Sequence, residues 1–128
     1  MEAALVLPVL LALSMGMIEF GQFFYAKHTI SAAARDGCRT AILGNSTHAQ
    51  AIAAVNSTMN SAGYATSAYT DTFKDPTSGA TIPNVATVVK GNGIRVTVTA
   101  NFGDVGTRPL GVVAAGKQIV GITTMIKE

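Results

Sequence analysis

The residue types that could do chemistry are few in this chain, and they do not converge. Among 128 residues there are two histidines, His28 and His48, and one cysteine, Cys38. None falls in a Ser-His-Asp, zinc-ligand or phosphate-loop spacing, so no catalytic residue, metal site or cofactor site is assigned. His28 follows a long apolar segment beside Lys27, a setting for a headgroup or subunit contact rather than for catalysis. His48 falls at the start of a short helix and is expected to be solvated. Asp71, Asp75 and the turn Thr77-Ser78-Gly79 carry oxygens that suit calcium, but they lack the ligand spacing of a calcium loop. Gly91-Asn92-Gly93 turns the chain without the strand-to-helix context of a nucleotide loop. A lone cysteine forms no intramolecular disulfide, and Cys38 reads as a small packing residue. Asn45-Ser46-Thr47 and Asn56-Ser57-Thr58 match the glycosylation acceptor pattern, which arises readily in a chain rich in Ser, Thr and Asn.

The ionisable residue in the costliest setting is Glu2. It opens a stretch, Ala3 to Ile18, that contains no charge. A carboxylate entering hydrocarbon unpaired is expensive, so it is a functional candidate by default. Three fates are open to it. It pairs with the α-amine of Met1, if Met1 is a processed terminus. In a helical stack it pairs instead with the amine of a neighbouring copy, which fixes axial register because a slip leaves a buried charge alone. Or it stays hydrated among headgroups.

These residues need an element to position them, and the apolar run supplies it. After Glu19 the apolar character resumes from Phe20 to Ala26 and ends at Lys27. The whole run matches the roughly 20 residues of a bilayer-crossing helix, with Phe23, Phe24 and Tyr25 as an interfacial belt and Lys27 as its cationic anchor. The chain is 48% hydrophobic and 12% charged. A soluble domain carries roughly 25% charged residues, so part of this one is expected to be solvated by lipid or by copies of itself. A buried core helix, a cleavable signal peptide and a plain anchor compete with an oligomerising subunit. The head is too small to surround such a helix, and a signal peptide opens with positive charge, not with Glu2. A plain anchor leaves two carboxylates in the run, Glu2 and Glu19, without a role. Leu5, Leu7, Pro8, Leu10, Leu11, Met15, Ile18, Phe20, Phe23, Phe24 and Tyr25 are therefore expected to pack in an assembled core. Pro8, Gly16 and Gly21 make the helix bendable, and Glu19 is expected to face a polar neighbour in the assembly or at the membrane boundary.

Glu2-Ala-Ala-Leu-Val-Leu-Pro-Val-Leu-Leu11, then Gly16-Met-Ile-Glu-Phe-Gly21, then Phe24-Tyr25, resembles the opening of TadE-like pilins of the tight-adherence systems. Arg35-Asp-Gly-Cys-Arg39 resembles the stretch that follows there. The family often has an aromatic residue after the first Glu, where this chain has Ala3. The resemblance implies a basic leader removed by a prepilin peptidase, membrane insertion, and extraction into a filament by an assembly ATPase. No basic residue precedes Glu2, so the chain is expected to start at or near the processed terminus.

The rest predicts an α+β molecule: residues 1–43 a transmembrane or filament-core helix, residues 44–128 a globular head of one short helix and an antiparallel sheet of three or four strands. Ile30, Ala33, Ala34, Gly37, Cys38, Ala41 and Ile42 form a helical stripe, and Gly44-Asn45 stops the helix. Thr47 and Gln50 form a capping box for a second helix with Ile52, Val55, Met59 and Ala62 on one face. Strands are expected over Thr66–Phe73, Val85–Lys90, Ile94–Phe102 and Lys117–Lys127, with a hairpin at Gly91-Asn92-Gly93. Val120, Ile122 and Ile126 share a face of the last strand, and Gly121 marks a bulge. Leu110, Val112 and Val113 in the loop from Gly103 to Gly116 either close the core or touch a neighbour.

A net charge of +2 with scattered basic residues excludes a nucleic-acid face. The expected function is structural: a pilin-like subunit that polymerises through its amino-terminal helix, alone or with other pilins, into an extracellular adhesive filament. It would reside first in the inner membrane, then at the bacterial surface. The alternative is a membrane-anchored binding or minor component that primes or caps a filament.

Overall fold

The computed structural model describes the backbone of residues 2–128 and side chains from Ala4 onward; Met1 and the Glu2 carboxylate, the expected register pair, lie outside the described residues. Helix α1 (Glu2–Ile42) runs unbroken through Pro8. At 1.5 Å per residue it is about 60 Å long. Its lower half carries the stripe of small and apolar residues, and that stripe is buried: Ala26, Ile30, Ala33, Ala34, Cys38 and Ala41 all face the head. Spacings of three and four residues keep them on one side of the helix. The helix ends where Gly44-Asn45 turns the chain. Its orphan carbonyls find partners in the Ser46 hydroxyl, which donates to Leu43 O at 2.8 Å, and in Glu128 N, which donates to Ile42 O at 3.1 Å.

Helix α2 (His48–Ser61) starts on the expected capping box: Gln50 N donates to Thr47 Oγ1 at 3.3 Å, and Thr47 N to Gln50 Oε1 at 2.9 Å. Ala51, Val55 and Met59 are its buried face. It crosses α1 at Gly37, where a Cβ would collide with the branched side chain of Val55, so glycine allows this close approach. Thr58 Oγ1 donates to Asp36 Oδ2 at 2.7 Å and ties the two helices on their outer side.

Three antiparallel strands, β1 (Tyr69–Lys74), β2 (Gly93–Asn101) and β3 (Gln118–Ile126), form the sheet in the order β1-β2-β3. Ile94, Val96, Val98 and Ala100 of β2 alternate into the core as the sequence pattern predicts. The short helix α3 (Phe102–Val105) follows, and Phe102 turns inward with it. The core is a two-layer sandwich of α1 and α2 against the inner face of the sheet.

Five expectations are corrected. Val85–Lys90 is no strand: Val85–Thr87 is a single 3-10 turn, held by Asn84, whose Oδ1 accepts from Ala86 N at 3.0 Å. Both edges of β2 are already taken by β1 and β3, so no edge of it is free for this segment. Val85 plugs the core instead, and the buried Lys127 ammonium donates to its carbonyl. For the same reason Gly91-Asn92-Gly93 is a loop turn and not the apex of a hairpin. Gly121 marks no bulge, since the β2–β3 register is continuous past it. Its role is close approach: a Cβ there would lie 2.6 Å from Ile30 O, so glycine lets α1 settle onto the sheet. Val120, Ile122 and Ile126 do share a face, but it is the outer one; Ile119 and Gly121 point to the core. At the start of the first strand, Thr66–Ala68 forms a 3-10 turn before β1 begins. His48 is half-buried rather than solvated, its ring 4.8 Å from that of Phe73.

Candidate functional site

From Ala4 to Ile18 the helix touches almost nothing. Leu5, Leu7, Pro8, Leu10, Leu11, Met15 and Ile18 are all exposed, Leu5 by 77%. This segment is apolar on every side, and a helix hydrophobic all round is one that lipid or other helices must surround. Ser14, its one hydroxyl, bonds back to Leu10 O at 2.8 Å and needs no water. α1 is long and apolar enough to cross a membrane. The expected core-packing residues divide at Glu19. Those before it project free of the head. Beyond it Phe20, Phe24 and Tyr25 remain exposed, whereas Phe23 turns toward the head and packs edge-on against Phe102 at 5.5 Å.

The division is made by Glu19 itself, which is fully buried by protein. The expectation was a polar neighbour in the assembly or at the membrane boundary; the partner is the chain's own loop. Glu19 Oε1 accepts from Val113 N at 2.6 Å, and Oε2 accepts from Leu110 N at 3.2 Å. The loop can present two amides to one carboxylate because Gly111 adopts φ +66° between them, a left-handed conformation that glycine takes without strain. Arg108 closes the turn: its Nε donates to Val113 O at 2.7 Å. Two fixed amides and a nearby cation make this an anion-holding turn, occupied by the protein's own side chain.

Sequence reasoning singled out Glu19 and the Leu110–Val113 patch separately but did not join them. The available signal was a carboxylate within an apolar run and a Gly/Pro-punctuated loop with unspent amides. Their 91-residue separation hid the pairing. Of the patch, Val113 turns toward the core, while Leu110 and Val112 stay exposed, at 44% and 60%. Val112 and Val113 line a shallow apolar groove of about 350 Å³ with Phe20, Phe23, Ala114 and Lys117.

The other candidate groups stay apart. Cys38 is buried, its thiol donating to Ile94 O at 3.4 Å, and burial pushes its pKa up, away from the reactive thiolate. Asp75 spends its oxygens on its own turn, accepting from Thr77 N and from the Ser78 hydroxyl, each at 2.8 Å. Asn56 accepts from Tyr69 Oη at 2.7 Å on the side of α2. His28 is exposed on α1. In a concavity of about 550 Å³ beside Gln22, Tyr64, Ser67, Asp104 and Thr107, no hydrogen bond among the described residues joins a hydroxyl to the Asp104 carboxylate.

The geometry therefore centres on an apolar helix surface and on the clasp that sets its lower limit. Residues 1–39 match the family model described as TadE-like protein. No curated protein and no solved structure matches the chain.

Proposed function

The chain is TadE-like over residues 1–39, and from that premise we propose that it is a pilin-like subunit that assembles through α1 into an extracellular filament. One observation carries the reading: the segment from Ala4 to Ile18 is apolar all round and lends no buried residue to the head. A helix solvated by lipid gains little by leaving the bilayer unless other helices replace the lipid. Extraction and polymerisation are thus coupled, and the same side chains serve both states. Leu5, Leu7, Leu10, Leu11, Met15 and Ile18 form the shared surface. Glu2 sets axial register by pairing with the terminal amine of a neighbouring copy, since a shifted copy leaves that carboxylate unpaired in an apolar core. A prepilin peptidase and an assembly ATPase are the machinery such a subunit requires. The role is non-catalytic, and the scattered reactive groups of the head support that.

The test is fractionation of cells that carry the assembly machinery. The protein is expected in the membrane fraction and, in many copies, in filaments sheared from the surface. Glu2→Ala and Glu2→Lys should empty the filament fraction and leave membrane insertion unchanged. Normal filaments from Glu2→Ala would refute the register mechanism. A handful of copies per filament would refute a bulk subunit and favour a priming or capping component.

A further inference from the structure

The helix free of the head is too short to cross a bilayer alone. The uncharged run between the carboxylates Glu2 and Glu19, Ala3 to Ile18, is roughly 16 residues and about 24 Å long, against a hydrocarbon thickness of about 30 Å. Completing the span takes α1 down to about Phe23, and over that last stretch the head is already attached. The part attached there is the loop held by Glu19. Whatever covers α1 at this depth therefore meets the loop as well.

The loop is made for that depth. Leu110 and Val112 point outward, exposed, and Leu110 lies beside Gly16, its Cδ1 3.9 Å from where a Cβ on that glycine would stand. The outer surface there continues as Phe20 and Phe24, both exposed on α1. The one acid at this level of α1, Glu19, is buried against backbone amides with Arg108 near it, so its charge is not presented to the surroundings. Past Phe23, toward the C-terminal end of α1, the polarity changes. Lys117 borders the apolar groove, Lys27 and His28 follow on α1, and the exposed Asp104 neighbours Gln22. That order along the axis, apolar tip and then cations, is the order of acyl chains and headgroups.

We propose that the loop from Arg108 to Val113 is a membrane foot: Leu110 and Val112 enter the acyl–headgroup boundary of the bilayer beside α1, and Glu19 clasps the loop in that position. The foot rests on the reading of α1 as a bilayer span. It sets the depth at which the subunit sits before assembly, because the head cannot rise without withdrawing two apolar side chains. Arg108 at the start of the loop, with Lys117 and Lys27 beyond it, reaches the headgroups.

The chain contains no tryptophan, so single Trp substitutions report their own surroundings. Val112→Trp, Leu10→Trp and Thr124→Trp are all at exposed positions and should leave the fold intact. The full chain is reconstituted in vesicles of phosphatidylethanolamine and phosphatidylglycerol that contain lipids brominated near the headgroup or near the chain end. Leu10→Trp should be quenched most by the deep bromines, Val112→Trp by the shallow ones, and Thr124→Trp by neither. If Leu10→Trp is quenched while Val112→Trp matches Thr124→Trp, the foot is wrong and the span stands. If Leu10→Trp is unquenched, the span fails and the foot fails with it. Blue-shifted but unquenched emission from Val112→Trp would mean a neighbouring protein, not lipid, covers the loop, which also overturns the foot.

Discussion

At the residue scale, three glycines and one carboxylate decide how α1 meets the head. Gly37 admits α2, Gly121 admits the helix backbone to the sheet, and Gly111 turns two amides toward Glu19. The sequence does not disclose these roles: Gly121 reads there as a bulge. Their role depends on what lies opposite, and Ile30, the residue opposite Gly121, is remote along the chain. Gly121→Ala should destabilise the head by about 1–3 kcal/mol, because the new methyl meets backbone that cannot yield as a side chain would. Gly116→Ala is the control, since a Cβ there meets nothing within 4 Å. Chemical unfolding of both variants in detergent checks this, and equal stability of the two would contradict the close-approach role.

At the element scale, each segment with its own periodicity and its own stop signals was legible. The lower stripe of α1, the capping box of α2 and the alternation of β2 rest on interactions among near neighbours, which the sequence displays directly. The cap should be measurable by itself: Thr47→Ala is expected to cost about 1 kcal/mol, read as a lowered unfolding midpoint with an unchanged slope. The elements misassigned were those whose conformation is settled by competition. Val85–Lys90 has strand-forming residues, yet both edges of β2 are occupied and its first residue is more useful as a core plug. Val120, Ile122 and Ile126 alternate properly, but alternation does not say which face is inward. Glycine at 121 and the pressure of α1 on that side choose Ile119.

At the scale of the whole molecule, one continuous helix has two unlike halves. From Glu19 onward it is a core element of the head, and before Glu19 it is a surface waiting for lipid or for other copies. Removing residues 1–18 should therefore leave cooperative unfolding of the head intact and shift the protein from the membrane to the soluble fraction. Calorimetry together with fractionation checks both halves of that expectation; loss of the cooperative transition would mean that the free segment contributes to folding. The apolar run, its length and its TadE-like character were determined by sequence alone, because a stretch without charge limits its own surroundings whatever the rest of the chain does. The point at which that run stops being free was decided only by tertiary structure. Glu19 and the amides of Leu110 and Val113 are joined across more than 90 residues, and a hydrogen bond at that separation leaves no periodic trace in the sequence.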